Sequence, residues 1–267
     1  MRQVPIIILF LLFLSPLVGC DSEQSALRLP VSPKELLLYC GTTMAPAMRH
    51  IADLFEQQEC CVVKIIRDGS GALQHSIHVN RVGDLYLPGS ESYVEKCGNE
   101  GLVVEAHAIG INRAVLMVAP GNPLHISGDL NNFVAASYRT VLGLPQSGSI
   151  GLETQRLLSA LGIYKQAVVQ ANVLARDSKD IFQAVAGGEV DLALNWYATA
   201  VSADNKAVEV LEVENVVAAP HILRLALLKY SYDPVLAKKF ILFVLSPVGQ
   251  QILTEYVFKE PNFRGQL

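Results

Sequence analysis

Apolar residues recur along this chain in two alternating rhythms. Leu36 to Leu38 form a short apolar run bounded by Pro33, and Met48, Ile51, Ala52, Leu54 and Phe55 then recur at three- and four-residue spacing. The first rhythm predicts a strand and the second an amphipathic helix. The same succession predicts strands over 62–66, 84–87, 113–118, 140–144, 191–195 and 221–228. It predicts helices over 71–79, 91–97, 150–161, 178–186, 233–245 and 246–256. Strands alternating with helices give α/β layers and mostly parallel sheets. Pro120-Gly121-Asn122-Pro123 marks a boundary near the middle, and Ala219-Pro220 marks a second crossing that returns the chain to its first lobe.

Four of the strand-to-helix turns share one chemistry. Thr42-Thr43 follows the first strand. Arg67-Asp68-Gly69-Ser70-Gly71 follows the second. Gln146-Ser147-Gly148-Ser149-Ile150-Gly151 precedes a helix, with Glu153 placed as a capping-box partner, and Asp177-Ser178 opens another. A helix that starts just past a strand end aims free amides and the positive end of its dipole at one spot. That spot is an anion site. One such turn is ordinarily only a cap. Four of them at strand ends carry more weight, because open α/β sheets bind ligands at the carboxyl ends of their strands.

Composition narrows the partners. Of 267 residues just over half are apolar and 17% are charged, and the formal net charge is −4. That supplies a core, and it argues against nucleic acid. Neutral dipoles can still hold an anion. Arg2, the apolar run Ile6 to Leu14 and the ending Leu17-Val18-Gly19-Cys20 have the form of a secretory signal. The ending looks like a bacterial lipobox, which implies cleavage before Cys20 and lipid on that cysteine. Asp21 beside it resembles a signal for retention on the inner membrane of a Gram-negative cell. Residues 21–33 are polar and read as a tether. Cys40, Cys60, Cys61 and Cys97 remain, enough for two disulfides in an oxidising compartment, with Cys60 or Cys61 joined to Cys97 or Cys40.

Enzyme and metal readings are weak. Ser147-Gly148-Ser149-Ile150-Gly151 lacks the first glycine of a nucleophile elbow, and nothing marks His125 or His221 as a partner base. Gly69-Ser70-Gly71 is not followed by the Gly-Lys-Ser/Thr of a phosphate loop. His75 and His78 lie at helical spacing, which a solvated face explains more simply than a metal. Trp196, the single tryptophan, ends an apolar strand and either closes a ligand pocket or packs a core.

From residue 36 to about 260 the chain resembles bacterial periplasmic solute-binding proteins of the molybdate/tungstate type. The resemblance rests on several stretches. Leu38-Tyr39-Cys40-Gly41-Thr42-Thr43-Met44 with Met48 looks like the family's opening strand and turn, and Asp68-Gly69-Ser70-Gly71-Ala72-Leu73 like its second turn. Gly83-Asp84-Leu85-Tyr86-Leu87 and Leu116-Met117-Val118-Ala119-Pro120 look like its third strand and first crossover. Ser246-Pro247-Val248-Gly249-Gln250 with Tyr256-Val257-Phe258 looks like its C-terminal helix.

The resemblance implies a type 2 periplasmic binding fold: two α/β lobes, two crossings and a cleft between them. The implied division is a signal over 1–19, a tether over 20–33, a first lobe over 34–118 and 219–267, and a second lobe over 119–218. It implies an oxyanion held by the hydroxyls of Thr43, Ser70 and Ser178 and the backbone amide of Ile150. Thr42, Gly69 and Ser149 complete the expected ligand set, and Trp196 takes the place of the family's ligand-binding tyrosine. This chain departs from the pattern at Trp196 and at Ser178, where an apolar residue is usual. Asp68 adds a carboxylate that would accept a hydrogen bond from hydrogen phosphate or hydrogen arsenate and repel a fully ionised anion. The expectation is thus a monomeric, lipid-anchored, non-enzymatic receptor with no cofactor or metal. Its anion is molybdate-like, or else phosphate- or arsenate-like. Its partner is an ABC transporter permease or a sensor kinase.

Overall fold

The computed structural model describes residues 34–202 and 207–258. The signal, Cys20 and the tether lie outside the described residues.

The first lobe opens with β1 (Lys34–Gly41), α1 (Ala45–Glu59), β2 (Cys61–Asp68), α2 (Ser70–Asn80), β3 (Leu85–Leu87), α3 (Glu91–Asn99) and β4 (Val103–Asn112). The chain then runs through β5 (Ala114–Val118), a 3-10 turn (Leu130–Val134), β6 (Thr140–Gly143), α4 (Ser149–Ala160), α5 (Tyr164–Gln170) and β7 (Val173–Ala175). It continues with α6 (Ser178–Ala186), β8 (Leu192–Trp196), α7 (Tyr197–Ala200) and β9 (Glu209–Leu211). It closes with β10 (His221–Leu228), α8 (Pro234–Leu245) and α9 (Pro247–Glu255).

The strands form two five-stranded sheets, ordered β2-β1-β3-β10-β4 and β7-β6-β8-β5-β9. In each, four strands run one way and one, β10 or β5, runs the other between the third and the last. Alternation along β1 explains the layering of the first. Leu36, Leu38 and Cys40 point to one face, against Met48, Ile51 and Phe55 of α1 and Phe240 of α8. Tyr39 points to the other, with Leu73 and Ile77 of α2 and Val94 and Cys97 of α3. The second sheet has its own core, where β5 and β8 are buried along their whole length.

Two expectations change here. The strand at 113–118 was placed in the first lobe with the crossover at Pro120, but β5 pairs with β8 and β9 of the second sheet. The first crossing is the single residue Arg113, and the Pro120-Gly121 stretch is a turn within the second lobe. β4, which has no counterpart among the expected strands, carries the chain up to that crossing. The second crossing is the 212–220 stretch between β9 and β10. Arg113 touches both: its Nη1 lies 2.5 Å from Glu212 Oε2, and its guanidinium stacks 4.4 Å from the centre of the Tyr197 ring. The second change concerns the cysteines. All four described thiols are free, and Cys40 and Cys97 lie in cores on opposite faces of the first sheet.

Candidate anion-binding site

The carboxyl ends of the parallel strands of both sheets face each other. Thr42 and Thr43 follow β1, Asp68 and Gly69 close β2, and Gly89 follows β3. From the other lobe come Gly148 to Ile150 after β6, Asp177 and Ser178 after β7, and Trp196 at the end of β8. These residues line one small cavity. Its free volume is ≈ 10 Å³, roughly the room one water needs. The structure brings together every expected residue: Thr42, Thr43, Asp68, Gly69, Ser70, Ser149, Ile150, Ser178 and Trp196. A groove of ≈ 800 Å³ also lies between the lobes, but its walls are largely the flanks of α2, α3 and α4, so size does not mark the site.

The hydroxyls are fixed by specific partners. Ser70 is 2% exposed; its Oγ accepts from Gly89 N at 3.0 Å and its carbonyl accepts from Tyr86 Oη at 2.8 Å. Burial pushes the Tyr86 phenol well above its usual range, so it stays a neutral donor. Ser149 Oγ accepts from Trp196 Nε1 at 3.2 Å. An indole N–H cannot take a proton from a serine, so this contact provides no nucleophile activation. Thr43 Oγ1 lies 2.8 Å from Ser178 Oγ and 2.9 Å from Thr199 Oγ1, bridging the lobes. Fully buried Asn195 fastens the second-lobe wall: its Nδ2 donates to the Ser178 carbonyl at 2.8 Å, and its Oδ1 accepts from Trp196 N at 2.8 Å.

The turns differ in detail from their expected roles. Thr42 and Thr43 do not cap α1, whose first residue follows Met44 with no side-chain cap. Their hydroxyls reach across the cleft instead. Asp177 does more than open α6, and its Oδ1 caps the helix by accepting from Lys179 N at 2.8 Å and Asp180 N at 3.0 Å. Its Oδ2 accepts from Thr42 Oγ1 at 3.0 Å. α6 therefore offers the cavity the Ser178 hydroxyl, while the Asp177 cap occupies the amides of Lys179 and Asp180. At α4 the cap is Gly148, which has no side chain to satisfy the helix. The amides of Ser149 and Ile150 have no partner within the helix.

Glu153 is not a capping-box partner. It is buried, and its carboxylate receives Arg156 at 2.8 and 2.7 Å and lies 3.0 Å from His221 Nε2 on β10. Burial opposes its ionisation, but Arg156 and His221 outweigh burial and hold the carboxyl at about 2. His221 Nδ1 is 3.4 Å from Ser90 Oγ, and its ring meets Trp196 edge-on at 5.2 Å. Helix α4 of the second lobe is thus tied to β10 of the first, next to the cavity wall.

Among the described residues, Asp68 and Asp177 are the only charged ones lining the cavity. Both carboxylates have work elsewhere: Asp68 is exposed, and its Oδ1 accepts from Gly69 N at 2.7 Å. An anion here would meet hydroxyls, amides and helix dipoles, with no cation in the wall.

Comparison with known proteins gives a consistent outline. The family model described as bacterial extracellular solute-binding protein matches residues 36–259. The molybdate-binding protein ModA of Mycobacterium tuberculosis is 23% identical over 251 residues, 92% of this chain and 93% of that protein. The periplasmic molybdate-binding protein of Azotobacter vinelandii superposes with a TM-score of 0.73 at 18% identity, covering 85% of this chain and all of that one. The sulfate-binding protein SubI of Mycobacterium tuberculosis superposes equally well, TM-score 0.73, at 12% identity and 86% coverage of both chains.

Proposed function

The chain belongs to the family of bacterial extracellular solute-binding proteins, and on that premise we propose that it captures a small, fully ionised tetrahedral oxyanion of the molybdate and tungstate kind for an ABC transporter. The observation that carries this reading is the convergence of hydroxyl-bearing helix starts from both lobes on one cavity that no cation lines. Such a site suits a weakly basic dianion whose oxygens accept hydrogen bonds all round. A relative of nearly equal length described as molybdate-binding supports the choice of anion. So does the engagement of Asp68 with its neighbouring amide, which leaves the carboxylate less suited to a ligand proton.

In this reading the interlobe contacts of Thr43 with Ser178 and Thr199 yield to ligand oxygens as the lobes close on the anion. Closure then presents both lobes to the permease in one arrangement. The receptor works outside the cytoplasm, held to the membrane by lipid on Cys20. Replacing Cys20 with Ser should abolish lipid labelling; a variant that still partitions into detergent like the wild type would refute the anchor.

The direct test is titration of the purified protein with molybdate, tungstate, sulfate and phosphate. Trp196 is the sole tryptophan and lines the cavity, so its emission should report occupancy. A ligand that binds only the native state also raises the melting temperature. Molybdate and tungstate should bind most tightly. No response to any of the four would sink the oxyanion reading.

A further inference from the structure

A second chamber adjoins the candidate site. It is lined by Thr42, Thr43 and Ser178, which it shares with the inner cavity, and by Pro46, Arg67, Lys179, Phe182 and Gln183 among others. Its volume is ≈ 340 Å³, against ≈ 10 Å³ for the inner cavity. The 2.8 Å contact of Thr43 with Ser178 lies in the wall common to both. The two chambers divide their charges sharply. Among the described residues, the inner wall carries two carboxylates and no cation, and the outer wall carries two cations and no carboxylate.

The cations come from opposite lobes, Arg67 from the end of β2 and Lys179 from the first turn of α6. Neither side chain has an acidic partner among the described residues. Two like charges brought to one chamber by closure repel unless an anionic group lies between them. The space far exceeds what passage of a five-atom ion requires and reaches the size of a small-molecule pocket. Phe182 and Pro46 supply an apolar wall for a carbon skeleton, and Gln183 a polar end.

We infer that the outer chamber is a second anionic subsite. The cleft then also accepts a small organic acid with a tetrahedral oxyanion at one end and a carboxylate at the other. The oxyanion takes the inner hydroxyls and displaces the Thr43–Ser178 contact, while the carboxylate sits between Arg67 and Lys179. This rests on the oxyanion reading of the inner cavity, and the test separates the two.

The measurement is calorimetric titration at pH 8 with molybdate, glycerol 3-phosphate and 3-phosphoglycerate. The last two differ in the carboxylate, which isolates the outer subsite. Wild type should bind 3-phosphoglycerate about tenfold or more tighter than glycerol 3-phosphate, as charge-assisted contacts to two cations warrant. In an Arg67→Gln, Lys179→Gln double variant that margin should vanish, while molybdate affinity falls no more than the few-fold that loss of two nearby exposed charges brings. Both residues are exposed, so the variant should fold, and an unchanged melting temperature would verify it. Molybdate binding with no margin in the wild type overturns the outer subsite and leaves the inner reading intact. A margin that persists in the double variant also overturns it. Failure of every ligand to bind removes both.

Discussion

The amide of Gly71, in the first turn of α2, donates to the carbonyl of Ser147 in the opposite lobe at 2.9 Å. The lobes meet backbone to backbone at this point, and a side chain would not fit. A Cβ on Gly71 would lie 2.0 Å from the Gln146 carbonyl oxygen. Gly71→Ala should therefore hold the cleft ajar. Overpacking of this kind costs about 1–3 kcal/mol, which corresponds to a loss of affinity of about 5- to 150-fold. The penalty applies only when the lobes are shut, so the variant should stay folded. Wild-type molybdate affinity in Gly71→Ala would show that this contact is not needed for binding.

Thr43 and Ser70 separate ligand binding from stability. Thr43→Val keeps the shape of a half-buried side chain and removes its hydroxyl. A hydrogen bond to a charged group is worth about 1.5–3 kcal/mol, so affinity should fall about tenfold or more. Ser70→Ala also strands the Gly89 amide, which costs about 1–3 kcal/mol of stability. Calorimetry with melting curves should thus find one deficit in Thr43→Val and two in Ser70→Ala. Wild-type affinity in both variants would mean the cavity is not the binding site.

The carboxylates test the charge of the ligand. Asn in place of Asp68 keeps an acceptor for Gly69 N and removes a negative charge beside a dianion. Asp68→Asn should bind molybdate as tightly as wild type or a few-fold tighter. Asp177→Asn preserves the cap of α6, whereas Asp177→Ala should lose about 1 kcal/mol of stability. Phosphate bound more tightly than molybdate in wild type, with a tenfold loss of phosphate affinity in Asp68→Asn, would instead identify a carboxylate that accepts a hydrogen bond from a protonated anion.

Glu153 gives the protein an acid-sensitive joint. Its carboxyl is held at about 2, against 4.5 for the free side chain. A lowered carboxyl stabilises the fold fully above about 4.5, and that contribution, about 3 kcal/mol, fades as pH falls toward 2. Because Glu153 and His221 stand on opposite lobes, acid should loosen closure over the same window. Melting temperature followed from pH 6 to pH 2 should drop more steeply in wild type than in Glu153→Gln. Parallel curves would mean that the carboxylate is not the group that titrates.

Much of this arrangement was legible in the chain because its signals are local. An apolar run followed by a small hydroxyl turn and a helical rhythm marks β1, β2 and α6 without reference to anything distant. β4 escaped notice because Val103 to Ala108 alternates with Glu105 and His107 and lies at a half-exposed sheet edge, so it lacks an apolar run. α5 and β7 are too short to show a period. The roles of Asp177 and Glu153 depend on partners far away in sequence. Thr42 is 135 residues from Asp177, and no spacing rule joins Glu153 to His221. The thiols look like bridging candidates by number alone, but the alternation of β1 and the position of α3 send Cys40 and Cys97 to different faces of a sheet.

The contact between Arg113 and Glu212 has a mechanical meaning. One passage between the lobes is a single residue and the other a longer strap, which alone would let the halves twist and slide as well as swing. The Arg113–Glu212 pair ties the strap to the short passage, which resists sliding and leaves swinging as the easier motion. Lobes hinged in that way would bring the hydroxyls of Thr43 and Ser178 back to the same facing positions at each closure.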